Sequence, residues 1–183
     1  MYINFNGNIV DKEQPVIGSS NRAFRYGDSL FEAVRVINGK VQSLDKHLKR
    51  LNEGMRILNY EAPPGFTDVH IGEQINQLLE KNAIDNDARI RLSVFRNDGG
   101  FYTPVTNQIS YIIEVEPIPE FGYTINVKGF VVDIFNEIKK TKNSLSGVKS
   151  GNSLLYVMAA IYKKRNQLDD CIILNDRGNI VES

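Results

Sequence analysis

The feature that most constrains the fold is a proline-rich segment past the middle of the chain, Pro117-Ile118-Pro119-Glu120-Phe121-Gly122. Two prolines within three residues disfavour a helix and stiffen the connection. A chain of 183 residues has room for one domain or two small ones. We therefore expect a small α/β domain over 1–118, a linker over 119–122 and a larger second domain that begins at 123.

Alternation of apolar and polar residues predicts an open sheet before the linker. The pairs Asn6-Gly7 and Asn38-Gly39 each interrupt an alternating stretch, and Asn-Gly is typical of the tight turn in a β-hairpin. Residues 15–28 are typical of a loop. The predicted strand-forming stretches are 2–10, 29–36 with Val41, 89–96 and 109–115.

Two helices are predicted between these strands, because apolar residues recur there at helical spacing. Ser43 can cap the first helix and Thr67 the second, since a hydroxyl at that position accepts a hydrogen bond from an amide of the first turn. The apolar stripes consist of Leu44, Leu48, Leu51, Met55 and Leu58 in the first helix and of Ile71, Ile75, Leu78 and Leu79 in the second.

Beyond the linker, the pattern predicts a strand over 125–135, a helix over 153–165 and a hairpin from Cys171 to Ser183. One helix and these strands are too few for a complete layered domain. We therefore expect the second domain to be incomplete, as though the chain were truncated at Ser183. The predicted fold class is α+β with two domains.

Charge and cysteine content exclude several kinds of function. The 22 basic and 22 acidic side chains cancel, so no overall field attracts nucleic acid or an anionic membrane. No apolar run is long enough to span a bilayer, and the first residues do not resemble a signal peptide. One cysteine, Cys171, excludes a disulfide within the chain, and with two histidines it makes a structural zinc site unexpected. These features fit a cytoplasmic protein without a metal.

The segment Gly147-Val148-Lys149-Ser150-Gly151-Asn152 contains the residue that its surroundings favour most for chemistry. Lys149 lies among small residues at a predicted strand-to-helix junction. A lysine on a surface helix is solvated and unreactive, whereas one in a tight, partly buried turn can lose its proton and become a nucleophile. An isolated lysine in such a turn is more often inert, so the assignment depends on the rest of the chain.

Four motifs follow one another in the order Arg25-Tyr26-Gly27-Asp28-Ser29-Leu30-Phe31-Glu32, His47-Leu48-Lys49-Arg50-Leu51, Lys149-Ser150-Gly151-Asn152 and Asn179-Ile180-Val181-Glu182-Ser183. Their order and spacing resemble the class IV, or fold type IV, pyridoxal-phosphate enzymes. That family includes branched-chain aminotransferases, D-amino acid aminotransferases and aminodeoxychorismate lyases. The resemblance covers essentially the whole chain, and the combination of four motifs makes it specific.

The resemblance implies pyridoxal 5'-phosphate as the cofactor and suggests a role for three residues. Lys149 matches the lysine that forms the Schiff base with the cofactor aldehyde and then moves the substrate α-proton. Glu182 matches the carboxylate that pairs with the pyridine nitrogen and keeps it protonated. Arg50 matches the arginine that holds the cofactor phosphate, to which a planar guanidinium is well suited.

The same resemblance places Tyr26 and Phe31 at the substrate site but leaves the subfamily open. Arg96 matches the position of a carboxylate-binding arginine in the D-amino acid enzymes. Arg91 matches the position of an active-site arginine in the branched-chain enzymes, where the tyrosine two residues earlier is Arg89 here. The resemblance further implies a homodimer, with an active site that lies between the two domains and is completed by a loop of the second subunit.

We therefore expect a transaminase that exchanges the amino group between a small amino acid and a 2-oxo acid, of the branched-chain or D-amino acid type. Aminodeoxychorismate lyase activity is the alternative within the family. A catalytically silent, dimerising fragment is the alternative of another class, because the family continues well beyond Glu182 with segments that hold the cofactor phosphate.

Overall fold

The structure is a computed structural model that describes residues 1–118 and 125–183. The chain forms two units: one comprises Met1–Gly122 together with Val148–Gly151, and the other comprises Tyr123–Gly147 together with Asn152–Ser183. The predicted linker, 119–122, lies outside the described residues. The short segment around Lys149 belongs to the first unit, although the sequence pattern placed it in the second domain.

The described part of the first unit contains a six-stranded antiparallel sheet, one short helix and two long ones. The strands are β1 (Tyr2–Phe5), β2 (Asn8–Asp11), β3 (Ser29–Ile37), β4 (Lys40–Val41), β5 (Ala88–Arg96) and β6 (Ile109–Pro117), and the helices are α1 (Arg22–Tyr26), α2 (Leu44–Ile57) and α3 (Asp68–Lys81). The strand order in the sheet is β2-β1-β6-β5-β3-β4.

One face of this sheet and the apolar stripes of α2 and α3 make the core of the first unit. Strand β3 shows how the alternation works, because every second side chain along it is buried. Leu30, Val34 and Val36 are three of these inward side chains, and the fourth is Glu32. A carboxylate in an apolar row is costly unless it is paired, so its partners matter for the site.

Three local predictions for the first unit have different outcomes. Thr67 caps α3 as expected, since its hydroxyl accepts a hydrogen bond from His70 N at 3.3 Å. The prediction for Ser43 is wrong: it precedes α2 with a left-handed backbone, φ 49°, and its side chain makes no cap hydrogen bond. The region predicted to be a loop contains α1, which the Asn21 side chain caps through Phe24 N.

The second unit consists of a three-stranded sheet and one helix in its described part. The elements are β7 (Val132–Lys140), α4 (Leu154–Arg165), β8 (Asp170–Asn175) and β9 (Ile180–Glu182). Strand β7 runs parallel to β8, which pairs antiparallel with β9. The expectation of a strand from residue 125 is wrong, because β7 begins at Val132 and ends at Lys140.

Few side chains of the second unit are buried. The core cluster that the structure records there contains Phe135, Ala159, Cys171 and Ile173. Cys171 is a small core residue, as its sequence context predicts, and its thiol approaches the Ala159 carbonyl oxygen at 3.4 Å. No helix within residues 1–118 and 125–183 has both the length and the apolar character needed to cross a bilayer.

Candidate functional site

The backbone around Lys149 is attached to the start of β3. Phe31 N donates to the Lys149 carbonyl oxygen at 3.0 Å, and Gly151 N donates to the Ser29 carbonyl oxygen at 2.8 Å. Gly151 permits this approach, since a β-carbon at that residue would lie 2.1 Å from Ser29 Oγ and would force the hydroxyl to turn away. The backbone of Lys149 is therefore held by pairing with a strand rather than by a tight turn.

The side chain of Lys149 is exposed, and its amine approaches the ring of Phe31, which Arg91 also contacts. Lys149 Nζ is 5.0 Å from the centroid of the Phe31 ring, and Arg91 Cζ is 4.0 Å from the same centroid. Both distances are within the range of cation–π attraction. The structure thus brings together three of the residues that the sequence singled out, on the face of the sheet opposite the apolar core.

Arg91 is also fixed along its own strand. Its Nε donates to Ser93 Oγ at 3.2 Å, and Ser93 pairs with Phe31 across the sheet. Burial lowers the pKa of the Arg91 guanidinium, and the neighbouring Glu114 opposes this shift. The guanidinium remains a cation at neutral pH, because arginine is effectively always protonated.

Arg50 lies on α2 and forms a paired contact with Glu32. Arg50 Nε donates to Glu32 Oε1 at 2.7 Å and Nη2 donates to Oε2 at 2.5 Å, while His47 Nδ1 lies 2.8 Å from Oε2. Burial raises the pKa of Glu32, but the hydrogen bonds and charges of Arg50 and His47 outweigh burial and leave the pKa below its ordinary value. The Glu32 hydrogen bond in turn raises the pKa of Arg50.

Arg96 has a different environment from Arg50 and is almost fully buried. Its donors contact Asp28 Oδ2 at 3.0 Å, the Leu58 carbonyl oxygen at 2.8 Å and the Asn107 side chain. Its guanidinium also lies 4.7 Å from the centroid of the Tyr60 ring. The hydrogen-bond donors of Arg96 are therefore engaged by other groups of the first unit.

Tyr26 lies at the end of α1, next to the environment of Arg96. The Tyr26 ring is 5.5 Å from that of Tyr102, and Arg22 Cζ is 5.0 Å from its centroid. Tyr26 and Arg96 line a cavity of about 270 Å³ in the first unit, together with Arg22, Asp28, Tyr102 and Pro104. The structure records no contact that joins Tyr26 to Lys149 among the described residues.

Glu182 ends strand β9 of the second unit. Its Oε1 accepts a hydrogen bond from Lys140 Nζ at 2.7 Å and one from the Tyr156 hydroxyl at 3.2 Å. Burial lowers the pKa of Lys140, but the hydrogen bonds to Glu182 and Tyr156 outweigh burial and raise it overall. The carboxylate is thus held by a cation from β7 and a hydroxyl from α4.

Among the residues that hold the predicted ones, sequence reasoning gave no role to Glu32, Lys140 or Tyr156. Glu32 could have been identified from the sequence, because it is an acidic residue at an inward position of an otherwise apolar row. Nothing in the sequence distinguishes Lys140 or Tyr156, since a lysine at a strand end and a tyrosine on an apolar helix are common. Among residues 1–118 and 125–183, no cluster of three or more histidine, cysteine or acidic side chains could hold a metal ion.

The fold is α+β, and each unit holds its own candidate groups: the exposed amine of Lys149 and the guanidinium of Arg50 in the first unit, and the Glu182 carboxylate in the second. The class of protein is established by the family match, which covers residues 29–183 and is described as amino-transferase class IV. The chain belongs to this family.

Known proteins resemble the chain over most or all of its length. A Methanocaldococcus jannaschii protein named as a branched-chain-amino-acid aminotransferase is 28% identical over 193 residues, which covers 100% of this chain and 62% of that protein. The D-alanine aminotransferase of Bacillus licheniformis is 26% identical over 106 residues, which covers 58% of this chain and 32% of the relative.

A solved structure agrees in fold. The branched-chain amino acid aminotransferase of T.th., complexed with N-(5'-phosphopyridoxyl)-L-glutamate, has a TM-score of 0.86 at 21% identity. The match covers 99% of this chain and 60% of that one. The fold type IV architecture is therefore confirmed, and the chain spans less than two-thirds of the length of the archaeal relative and of this solved structure.

Proposed function

We propose that this protein is a pyridoxal-phosphate-dependent aminotransferase that moves the amino group of a small amino acid to a 2-oxo acid. The observation that carries the proposal is Lys149, whose backbone is paired with β3 and whose amine approaches the Phe31 ring that Arg91 also contacts, in a chain of the class IV family. Relatives named for branched-chain and D-alanine transamination support it.

The residues present fit the cofactor chemically. An exposed amine at Lys149 suits an aldehyde, and the outward donors of Arg50 suit a phosphate. Glu182, held in place by Lys140 and Tyr156, suits a protonated pyridine nitrogen, because a carboxylate can accept the hydrogen bond of that cation. When bound, pyridoxal phosphate would supply a sink for the electrons of the substrate α-carbon.

The residues around Lys149 have separate tasks in the proposal. Lys149 Nζ would hold the cofactor aldehyde, then take the proton from the substrate α-carbon and return it. Arg91 would bind the substrate carboxylate, since a guanidinium matches a carboxylate and its Nη atoms have no carboxylate partner within 4 Å in the described residues. Phe31 would keep Lys149 and Arg91 in place through its ring.

Arg91 suits the substrate carboxylate better than Arg96 does. The donors of Arg96 already contact Asp28, Asn107 and a carbonyl group, so a substrate would have to displace buried partners. Tyr26 remains in the proposal as a residue lining the neighbouring cavity. The proposal also includes a homodimer that works in the cytoplasm, and light scattering of the purified protein tests the dimer.

Replacing Lys149 tests the function directly. In the full-length protein, Lys149→Ala is expected to reduce the rate of transamination by at least about 10²–10⁴-fold, because proton transfer by a positioned side chain accelerates a reaction by about that factor. Loss of the covalent attachment to the cofactor should reduce the rate further. Formation of the 2-oxo acid product from a panel of small amino acids measures it. Lys142→Ala is the matched control, since Lys142 is an exposed lysine of the preceding segment.

Near-normal transamination by Lys149→Ala would refute the assignment of Lys149. Elimination that needs no 2-oxo acid acceptor would instead support the lyase alternative. Glu182→Gln provides a second test, because it should leave cofactor attachment intact while slowing exchange of the substrate α-proton with solvent. Unchanged exchange in that variant would refute the role of Glu182.

A further inference from the structure

An acidic residue occupies an inward position of β3 that the alternating pattern reserves for apolar side chains. Leu30, Val34 and Val36 share this row with Glu32, whose side chain is 1% exposed. Taking a carboxylate out of water carries a large free-energy cost, and a leucine in its place would have packed without that cost. The position therefore calls for an explanation beyond core packing.

Both oxygens of Glu32 are engaged by residues of α2. The Nε–Nη2 edge of Arg50 donates one hydrogen bond to each oxygen, in the bidentate geometry of a guanidinium with a carboxylate. His47 Nδ1 contacts Oε2 as well, and since an ionised carboxylate can only accept, Nδ1 carries the proton in this contact. Glu32 thus joins two neighbouring side chains of α2 to the sheet.

The bidentate pair leaves one end of Arg50 directed away from Glu32. The Arg50 side chain is 48% exposed, and among the described residues no hydrogen bond is recorded for its Nη1. A free arginine side chain has many rotamers, and binding an anion with it requires all but a few to be given up. The pair with Glu32 removes that freedom in advance.

We propose that Glu32 is a positioning residue that holds Arg50 with its Nη1 donors directed at the phosphate of the cofactor. The inference rests on the proposed function, in which Arg50 binds that phosphate. Glu32 touches neither cofactor nor substrate in this proposal and acts through Arg50. His47 supports it by binding the same carboxylate oxygen.

An electrostatic role and a positioning role of Glu32 predict opposite changes in phosphate affinity when Glu32 is replaced by glutamine. A purely electrostatic role predicts tighter phosphate binding, because Glu32→Gln removes a negative charge near the site. A positioning role predicts weaker binding. A glutamine offers one acceptor and turns an amide donor towards the second Arg50 donor, so the bidentate geometry is lost.

The experiment measures equilibrium binding of pyridoxal phosphate and of pyridoxal, which lacks the phosphate, to the full-length protein by absorbance titration. Glu32→Gln is expected to weaken pyridoxal phosphate binding about tenfold, which is the scale of one lost charge-assisted hydrogen bond. Pyridoxal binding should remain unchanged. Arg50→Ala is expected to show the same selectivity with a larger loss. The double variant should bind no more weakly than Arg50→Ala, because Glu32 acts through Arg50.

Asp87→Asn is the matched control. Asp87 is also a buried carboxylate, directly before β5, and it pairs with an arginine, Arg35, at 3.1 Å. The variant should lower stability without changing the ratio of the two affinities. If Glu32→Gln does not fold, Glu32→Asp keeps the charge, withdraws the carboxylate by one methylene group and should give the same selective loss.

Equal or tighter pyridoxal phosphate binding in the Glu32 variant would overturn the inference, as would an equal loss for both ligands. If Arg50→Ala is selective while the Glu32 variant is not, the inference fails and the proposed function stands. If the unaltered protein binds neither ligand, the proposed function fails and the inference fails with it.

Discussion

The two units of the chain differ in what they do with apolar and charged side chains. In the first unit, one face of a six-stranded sheet is covered by two helices, and its inward side chains are buried almost completely. In the second unit, the recorded core is small, and helix α4 leaves Leu154 72% exposed. A sequence pattern predicts structure well where each side chain is either clearly buried or clearly exposed, and this is more often the case in the first unit.

Charged groups follow the same division. The first unit pairs acidic groups in its interior, where Asp28 contacts Arg22, Arg96 and the Tyr60 hydroxyl. The second unit pairs them at its surface, where Asp133 contacts the Tyr162 hydroxyl at 2.6 Å. Interior pairs cost more to break than surface pairs, because a broken interior pair leaves a buried charge unmatched.

The largest expected effect comes from breaking the interior pair. Asp28→Asn leaves Arg22 and Arg96 close together without their shared carboxylate, and we expect a loss of about 3–5 kcal/mol in the free energy of unfolding. Asp133→Asn is the matched change in the second unit, and it should cause no measurable loss. Urea denaturation followed by circular dichroism compares the two variants, and similar midpoints would contradict the division.

Apolar truncation should separate the units next. Leu92→Ala opens a cavity in the core of the first unit, where Leu92 is 1% exposed, and should cost about 2–5 kcal/mol. Leu154→Ala removes the same atoms from an exposed position and should stay within about 0.5 kcal/mol in the 183-residue chain. Equal losses would show that Leu154 is buried in solution.

Lowering the pH perturbs the interior ion pairs of the first unit less than a substitution does, since protonation leaves each side chain in place. In both Asp28 and Glu32 burial raises the pKa, but hydrogen bonds to arginine and other neighbours outweigh it and hold the folded pKa below its ordinary value. Their contribution is therefore complete above the unfolded pKa of about 4 and is lost as the pH falls through the folded values. Unfolding free energies measured from pH 6 to pH 3 should fall less steeply in Glu32→Gln than in the parent.

An identical pH slope in the parent and in Glu32→Gln would contradict the ion pair that the structure shows. Gln74 offers a neutral control, because it is buried and polar in the same unit but does not titrate. Gln74→Leu should retain the slope of the parent protein.

Much of the first unit was predictable because its signals are local. The helical spacing of Leu48, Leu51 and Met55 marks one face of α2, and the Asn-Gly pairs mark both hairpins. These features depend on neighbours a few residues away, so one sequence contains all the information. The strand β7 was misplaced because it is mostly exposed and lacks a clear alternation.

The candidate site was predictable only as separate motifs. Nothing in the sequence indicates that Glu32 meets Arg50 or that Lys149 pairs with the start of β3, because these contacts join elements far apart in the chain. The role of Lys149 was expected from a tight, partly buried turn, yet its side chain is exposed and its backbone is paired with a strand. Long-range contacts of this kind require the fold.

The smallest expected effect concerns the two residues that the sequence treated alike as helix caps. Thr67 has an extended backbone, φ −119°, and accepts a hydrogen bond from His70 N, so Thr67→Ala should cost about 1 kcal/mol. Ser43 makes no cap hydrogen bond and has a φ of 49°, so Ser43→Ala should stay within about 0.5 kcal/mol. Ser43→Gly should be at least as stable as Ser43→Ala, because glycine adopts a left-handed backbone without the steric cost of a β-carbon. Urea midpoints of the three variants decide this, and a larger loss at Ser43 than at Thr67 would mean that Ser43 caps α2 in solution after all.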